Sequence, residues 1–371
     1  MTNDHAPMTT PPPESCRCQH EPQGSRRWTM VVAGAVLVAV TAALAVAAWA
    51  VLRVDPWGDD PAALSERFVF DAADYQQADP ALIAFRELGT FPIEFTAPRG
   101  LAVGPEERIY VAGDAMVRVF AADGQPVAEI PVKGEPSCLG LGAAGEGQAW
   151  RLYVGVGQRI LVFDAQGGAI GSWTDGLNDQ SVLTSLAVAE DAVFAADAGN
   201  RVVLRFDLGG ALRGRIGEVD AARGVRGFVI PSAHFDVAVT ADGLVRIANP
   251  GARRIETFTP DGDFLGQWGQ ASINIEGFFG CCNPADFSVL PDGRFVTAEK
   301  GIPRIKIYSP HGKFECVVAD SQMLGQTLQG TPLDQDTGHL PTFDVAVDGD
   351  GRVLALDSIR RQVRVFVRKT S

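Results

Sequence analysis

The chain is poor in the residues that most hydrolytic and metal sites need. It has five histidines in 371 residues, and beyond residue 53 only His234, His311 and His339 remain. It has no GxSxG nucleophile elbow, no HExxH zinc motif and no phosphate-binding P-loop. The common serine-hydrolase, metalloprotease and nucleotide-hydrolase arrangements are therefore excluded. Basic residues are also scarce, 32 against 45 acidic ones, for a net charge of −13. Such a surface repels a phosphate backbone, so nucleic acid is excluded as a partner, and an anionic membrane surface is disfavoured for the same reason. Beyond the N-terminal region, no long amphipathic helical pattern occurs.

Glycine, at 41 residues, and proline, at 23, are plentiful and spread along the chain. That pattern predicts many short strands joined by turns. Hydrophobic residues make up 46%, enough for a full core.

One hydrophobic run stands apart. Residues 31–52 read VVAGAVLVAVTAALAVAAWAVL and carry no charge. At ~1.5 Å per residue they reach roughly 33 Å as a helix, enough to cross a bilayer core. Arg17, Arg26 and Arg27 precede the run, whereas Arg53 is followed by Asp55, Asp59 and Asp60. The excess of basic residues before the run places the N-terminus in the cytoplasm and exports the rest, to the periplasm or outside. Ala48-Trp49-Ala50 also fits a signal-peptide cleavage site, although the run exceeds the usual apolar region of such peptides. Ser25-Arg26-Arg27 resembles the start of a twin-arginine signal, with Thr29 and Met30 where an apolar pair is expected. The chain thus divides into a disordered cytoplasmic tail (1–27), a transmembrane anchor (28–53), a linker (54–80) and a body (81–371). The tail's Cys16, Cys18 and His20 supply three soft-metal donors without a folded frame. The linker's Asp55, Asp59, Asp60, Glu66, Asp71, Asp74 and Asp79 face one base, Arg67, and extend by self-repulsion.

The body repeats itself. Each unit has a small inner strand such as GLAV (100–103) and a second strand such as IYVA (109–112). A third strand then ends in an aromatic: Phe120, Phe163, Phe206, Phe258, Tyr308 or Phe366. These anchors lie 43, 43, 52, 50 and 58 residues apart, and a fourth strand usually follows an Asp-Gly-like turn. Six anchors predict an all-β body, a six-bladed β-propeller of four-stranded blades. The sixth unit ends too early for a fourth strand. ALIAFREL (81–88), followed by a turn at Gly89, is available to supply it and to close the ring.

The units resemble NHL repeats: a proline-led inner strand, an arginine about five residues before the anchor, and a turn after it. Arg159, Arg201, Arg253, Arg304 and Arg361 take the arginine position, while the first unit departs, with Ala115 or Met116 there. The segment from Gly280 to Ala319, with GCCNP, resembles a bacterial subgroup of membrane-anchored NHL proteins. The resemblance implies the propeller fold and leaves function open, because such propellers include scaffolds, sensors and a few lyases.

Candidate site residues cluster where the inner strands begin and the second strands end, which share one face. The inner strands begin at Gly100, Cys138, Ser185, Asp236, Asp286 and Asp344. Three successive blades thus offer an aspartate at one height, with His234 nearby. The trio reads as a divalent-cation or polar-ligand site, or as turn-capping acceptors for backbone N–H groups. The second strands end at Asp114, Asp197, Asn249, Glu299 with Lys300, and Asp357. Cys281 and Cys282 precede the fifth blade. They form a strained vicinal disulfide, pair with Cys138 across the mouth, or remain thiols in a soft-metal site. Cys316 reads as a small buried hydrophobe. The expected function is a scaffold binding a small ligand or a membrane-associated protein partner, within a redox-linked membrane assembly. The alternative is a metal-dependent lactonase-like hydrolase, or a lyase.

Overall fold

The computed structural model describes residues 25–53, 75–143, 149–325 and 342–370. Cys16, Cys18, His20, His339 and the linker acids from Asp55 to Asp74 lie outside the described residues.

The chain divides into two units, residues 1–70 and 71–371. In the first, a helix runs Ser25–Arg53, so it begins before the 28–53 span expected of the anchor. Its stretch Met30–Trp49 has a mean hydropathy of 2.6 and is exposed throughout. By length and composition it is apolar enough to cross a membrane as an anchor or to serve as a signal sequence.

The second unit is the six-bladed β-propeller. Six four-stranded antiparallel sheets occur among the described residues, the first five each built from consecutive strands. Blade one spans Pro98–Pro131, blade two Cys138–Trp173 and blade three Leu183–Ile216. Blade four spans Val237–Trp268 and blade five Asp286–Ala319. In blade six, Asp344–Val347, Val353–Asp357 and Gln362–Arg368 are joined by an N-terminal outer strand, Phe85–Pro92.

That closing strand begins later than the sequence implied. Pro80–Leu82 is a helical turn capped by Asp79, whose Oδ1 accepts the Ala81 N–H at 2.9 Å. Pairing then runs from Phe85 with Arg368 to Pro92 with Gln362. Gly89 is inside the strand, and a bulge between Glu87 and Gly89 turns Leu88 out to solvent. The propeller's contacts start before residue 81, because Asp320 Oδ2 accepts the Ala78 N–H at 2.9 Å.

All six aromatic anchors are buried, and each packs against the blade before it. Phe163 meets Val117 and Val119 of blade one, and Phe206 meets Tyr153 and Ile160 of blade two. Tyr308 packs at a tilt against Trp268, ring centroids 5.0 Å apart. Across the seam, Phe120 packs with Leu354 and Val363 of blade six. The core is thus six inter-blade layers around an axis, each a strip of apolar side chains removed from water. Cys316 fills one of these layers, between blades five and six.

The arginines of the NHL-like pattern are not equivalent. Arg201, Arg253 and Arg361 hold the left-handed turn before the third strand, at φ 58°, 54° and 54°, and Ala115 does so in blade one. In blades two and five that position is Gln158 and Pro303, and the left-handed residue of the turn is a glycine further back, Gly157 and Gly301. Arg159 and Arg304 come one residue later than in the other blades, as the first residues of their strands.

Candidate functional site: the axial cavity and the blade-five rim

The inner strands surround an axial cavity of about 350 Å³. Cys138, Ser185, Asp236, Asp286 and Asp344 line it at one end, with Gly100 and Arg99. The fourth residues of the same strands, Val103, Leu141, Val188, Val239, Val289 and Val347, line it too. The cavity is therefore acidic where the strands begin and apolar where they end.

Each aspartate ties its blade to the next. Asp236 Oδ2 accepts the Phe287 N–H at 2.7 Å, Asp286 Oδ1 the Val345 N–H at 2.8 Å, and Asp344 Oδ2 the Leu101 N–H at 2.7 Å. Ser185 makes the same link by hydroxyl, accepting the Val237 N–H at 3.3 Å. One carboxylate oxygen per residue is thus a structural acceptor. The second oxygen of Asp236 accepts its neighbour Val237 N–H at 2.8 Å, whereas Asp286 and Asp344 hydrogen-bond to each other.

These carboxyls hold protons more tightly than usual. Burial pushes Asp236 up to about 6, against the hydrogen bonds from Ser185, Phe287 and Val237. Burial, then the charge of Asp236, pushes Asp344 up to about 7. Asp286 rises well above the carboxylate range through burial and then the charges of Asp344 and Asp236. Near neutral pH, Asp286 and Asp344 act as a pair sharing a proton. Burial pushes the Cys138 thiol up to about 12, with the two nearby aspartates adding to it. Among the described residues, no group of three His, Cys, Asp or Glu side chains is arranged to hold a metal ion. The trio's oxygens face backbone N–H groups and one another, so these residues do not fit a divalent cation.

The second-strand ends have a different task. Asp197 Oδ1 accepts the Val182 N–H and Asn249 Oδ1 the Val229 N–H, each at 2.9 Å, and Asp114 accepts the N–H groups of Thr96 and Ala97. Each fixes the loop that enters its own blade. Glu299 follows this rule, accepting the Phe279 N–H at 3.2 Å, and is fully buried rather than at the mouth. Its carboxylate pairs with Arg304 at 2.7 Å and with Lys306. Burial of a carboxylate in an apolar wall requires such partners.

Sequence reasoning passed over Lys306, two residues before its aromatic anchor. Its Nζ donates to Ile275 O at 2.9 Å and Gly277 O at 2.7 Å, while Tyr308 Oη donates to Glu276 O at 3.1 Å. Arg118 and Arg364, at the same place in their blades, donate to Ile93 O and Leu324 O. The available signal was a charge inside an otherwise apolar third strand.

The cysteine pair is not part of the axial cavity lining; it forms a separate rim at blade five. All four described cysteines are free, so neither the vicinal bond nor a link to Cys138 is present. The Cys281 and Cys282 sulfurs lie 3.2 Å apart, Cys281 exposed and Cys282 buried. Lys300 Nζ donates to Ser232 Oγ at 2.9 Å, and that hydroxyl also hydrogen-bonds Cys282. Burial pushes the Cys282 thiol up, while Ser232 and Lys300 pull against that shift. Asn283, fully buried, accepts the Lys300 N–H at 2.9 Å and donates to Lys300 O at 2.9 Å. Ser232 and Asn283 carried no isolated sequence signal. His234 is half-buried outside the axial lining, its backbone N–H donating to Ser232 O at 2.7 Å.

Fold and site together define a six-bladed β-propeller with a polar axial cavity. No family model and no curated protein matches the chain. Among solved structures, a protein of unknown function from Bacteroides thetaiotaomicron is similar over 77% of this chain and 72% of its own, with a TM-score of 0.51 and 15% identity. A streptogramin B lyase is similar over 78% of this chain and 100% of its own, with a TM-score of 0.51 and 11% identity. At such identity the likeness concerns the fold alone.

Proposed function

We propose that the protein is a membrane-anchored, extracytoplasmic propeller of the NHL kind that binds a small ligand in its axial cavity. The observation that carries this reading is the polarity of the cavity. Three ionisable carboxyls sit at one end and a collar of valines and a leucine at the other. Linking blades needs one acceptor per strand, which Ser185 provides without charge. Burial raises the proton affinity of all three carboxyls, and the charge of Asp236 raises that of Asp286 and Asp344 further, so their ionised forms cost stability. A ligand with an ammonium head and an apolar body matches both ends, because its cation replaces the proton shared by Asp286 and Asp344.

Hexylammonium is a suitable probe, titrated into the full chain in detergent by calorimetry. Binding strengthens as pH rises through 6 to 7, where Asp236 and Asp344 ionise. Substituting both Asp286→Asn and Asp344→Asn removes the binding while keeping the backbone links. Unchanged affinity in that variant would sink the axial site. The hydrolase or lyase alternative draws no support from the donor geometry, since no metal-holding triad is assembled among the described residues.

A further inference from the structure

We propose that Cys281 and Cys282 are a thiol–disulfide exchange site, whose oxidised form is a vicinal disulfide and whose substrate is a dithiol. The site stands apart from the axial cavity and does not depend on it.

Four features converge on this pair. The two sulfurs are 3.2 Å apart, so closing an S–S bond of ~2.05 Å needs only a small movement. Access is asymmetric, with Cys281 exposed and Cys282 buried. The loop that carries them is held from two sides. Lys306, Tyr308 and Arg304 bind its carbonyls from Ile273 to Gly277, and Asn283 clamps it to the Lys300 backbone. Finally, a nearly buried ammonium, Lys300 Nζ, lies on the Ser232 hydroxyl that bonds the Cys282 sulfur. Packing alone does not call for a buried cation beside a thiol; a leaving thiolate does.

The exchange follows from the asymmetry. A partner thiolate attacks the exposed Cys281 sulfur. The Cys281–Cys282 bond breaks, a partner–Cys281 disulfide forms, and the electron pair leaves on Cys282 as a thiolate facing Lys300 and Ser232. That thiolate then takes a proton. The partner's second thiolate attacks the partner sulfur of the mixed disulfide and releases Cys281 as a thiolate, which is protonated in turn. In sum the partner dithiol loses two electrons and two protons and becomes a disulfide, and the vicinal disulfide becomes two thiols; a partner disulfide, reacting through the same steps in reverse, is the two-electron oxidant that closes the ring from the free thiols. An eight-membered ring is strained, which places the pair at the oxidising end of the scale.

The test uses the full chain in detergent, equilibrated with glutathione and its disulfide, then alkylated and mapped by peptide mass. In the wild type both thiols should disappear together, with two hydrogens lost and no glutathione retained. Cys282→Ser should keep one glutathione on Cys281, and Cys281→Ser should take it up at least ~10-fold more slowly, following access. Dithiothreitol and a reduced two-cysteine peptide should both reopen the ring, the peptide more slowly if the partner is a small dithiol. Lys300→Met should slow reopening a few-fold while Lys300→Arg restores it, both with wild-type melting temperatures. Asp344→Asn should leave the exchange unchanged, so failure here is separable from failure of the axial reading. The proposal is overturned if both thiols stay alkylatable at the most oxidising ratio. Equal glutathione uptake by the two serine variants, or wild-type reopening in a folded Lys300→Met protein, would also overturn it.

Discussion

Asp344 Oδ2 accepts the Leu101 N–H at 2.7 Å, joining the last blade to the first across the seam of the ring. The link repeats what Asp286 does for Val345 and Asp236 for Phe287, one blade at a time. Stability and the polarity of the axial cavity therefore rest on the same three side chains.

The proton affinity of these carboxyls makes stability depend on pH. Asp236 and Asp344 stand at about 6 and about 7 in the fold, above their ordinary value of 3.8. Between those values the folded chain holds protons that the unfolded chain has released, so stability falls as pH rises. The melting temperature should drop from pH 5 to pH 8. Asp344→Asn should flatten the slope and melt ~2–4 °C above wild type at pH 8. A wild-type melting temperature that rises over this range contradicts the assignment.

Removing the link itself is a different matter. Asp344→Ala leaves the Leu101 N–H without its acceptor at the seam. The expected loss is ~1–3 kcal/mol, read from denaturant unfolding at pH 5, where Asp344→Asn should be near wild type. Equal stability of the two variants would argue that the link does not hold the seam.

Ring closure is testable through Phe85, fully buried in the layer shared by blades five and six. Phe85→Ala should cost ~3–5 kcal/mol and lower the single unfolding transition of the whole propeller. A separate early transition confined to the N-terminal strand would show that the strand is an accessory.

The buried charge cluster should behave as a clamp on the loop preceding blade five. Glu299→Gln leaves Arg304 and Lys306 without their carboxylate, a loss of ~3–5 kcal/mol. Limited proteolysis should then cut between residues 269 and 283. Protection equal to wild type would mean the loop is held by other contacts.

The blades were legible because one mark repeats: an aromatic closing each third strand, which packing on the previous blade demands six times over. The closing strand was legible in existence but not in position, since the bulge at Leu88 interrupts the alternation that would have marked it. The axial aspartates were legible as a set, because aligned inner strands place them at one height. Glu299 was misplaced for the opposite reason. Its position in the repeat pointed to the mouth, but its partners Arg304 and Lys306 lie on the neighbouring strand and draw it inward. Ser232 and Asn283 acquire their roles only when two loops meet at Lys300, a tertiary event with no local pattern.

The central claim is that the axial carboxyls receive a cation from a ligand. Proton release on binding measures it most directly, from titrations of hexylammonium into the full chain near pH 6.5 in two buffers of different ionisation heat. Release of up to one proton per ligand in the wild type, and neither binding nor release in the protein with both Asp286→Asn and Asp344→Asn, is the predicted result. Binding with no proton release, or with the same release in that variant, would contradict the account.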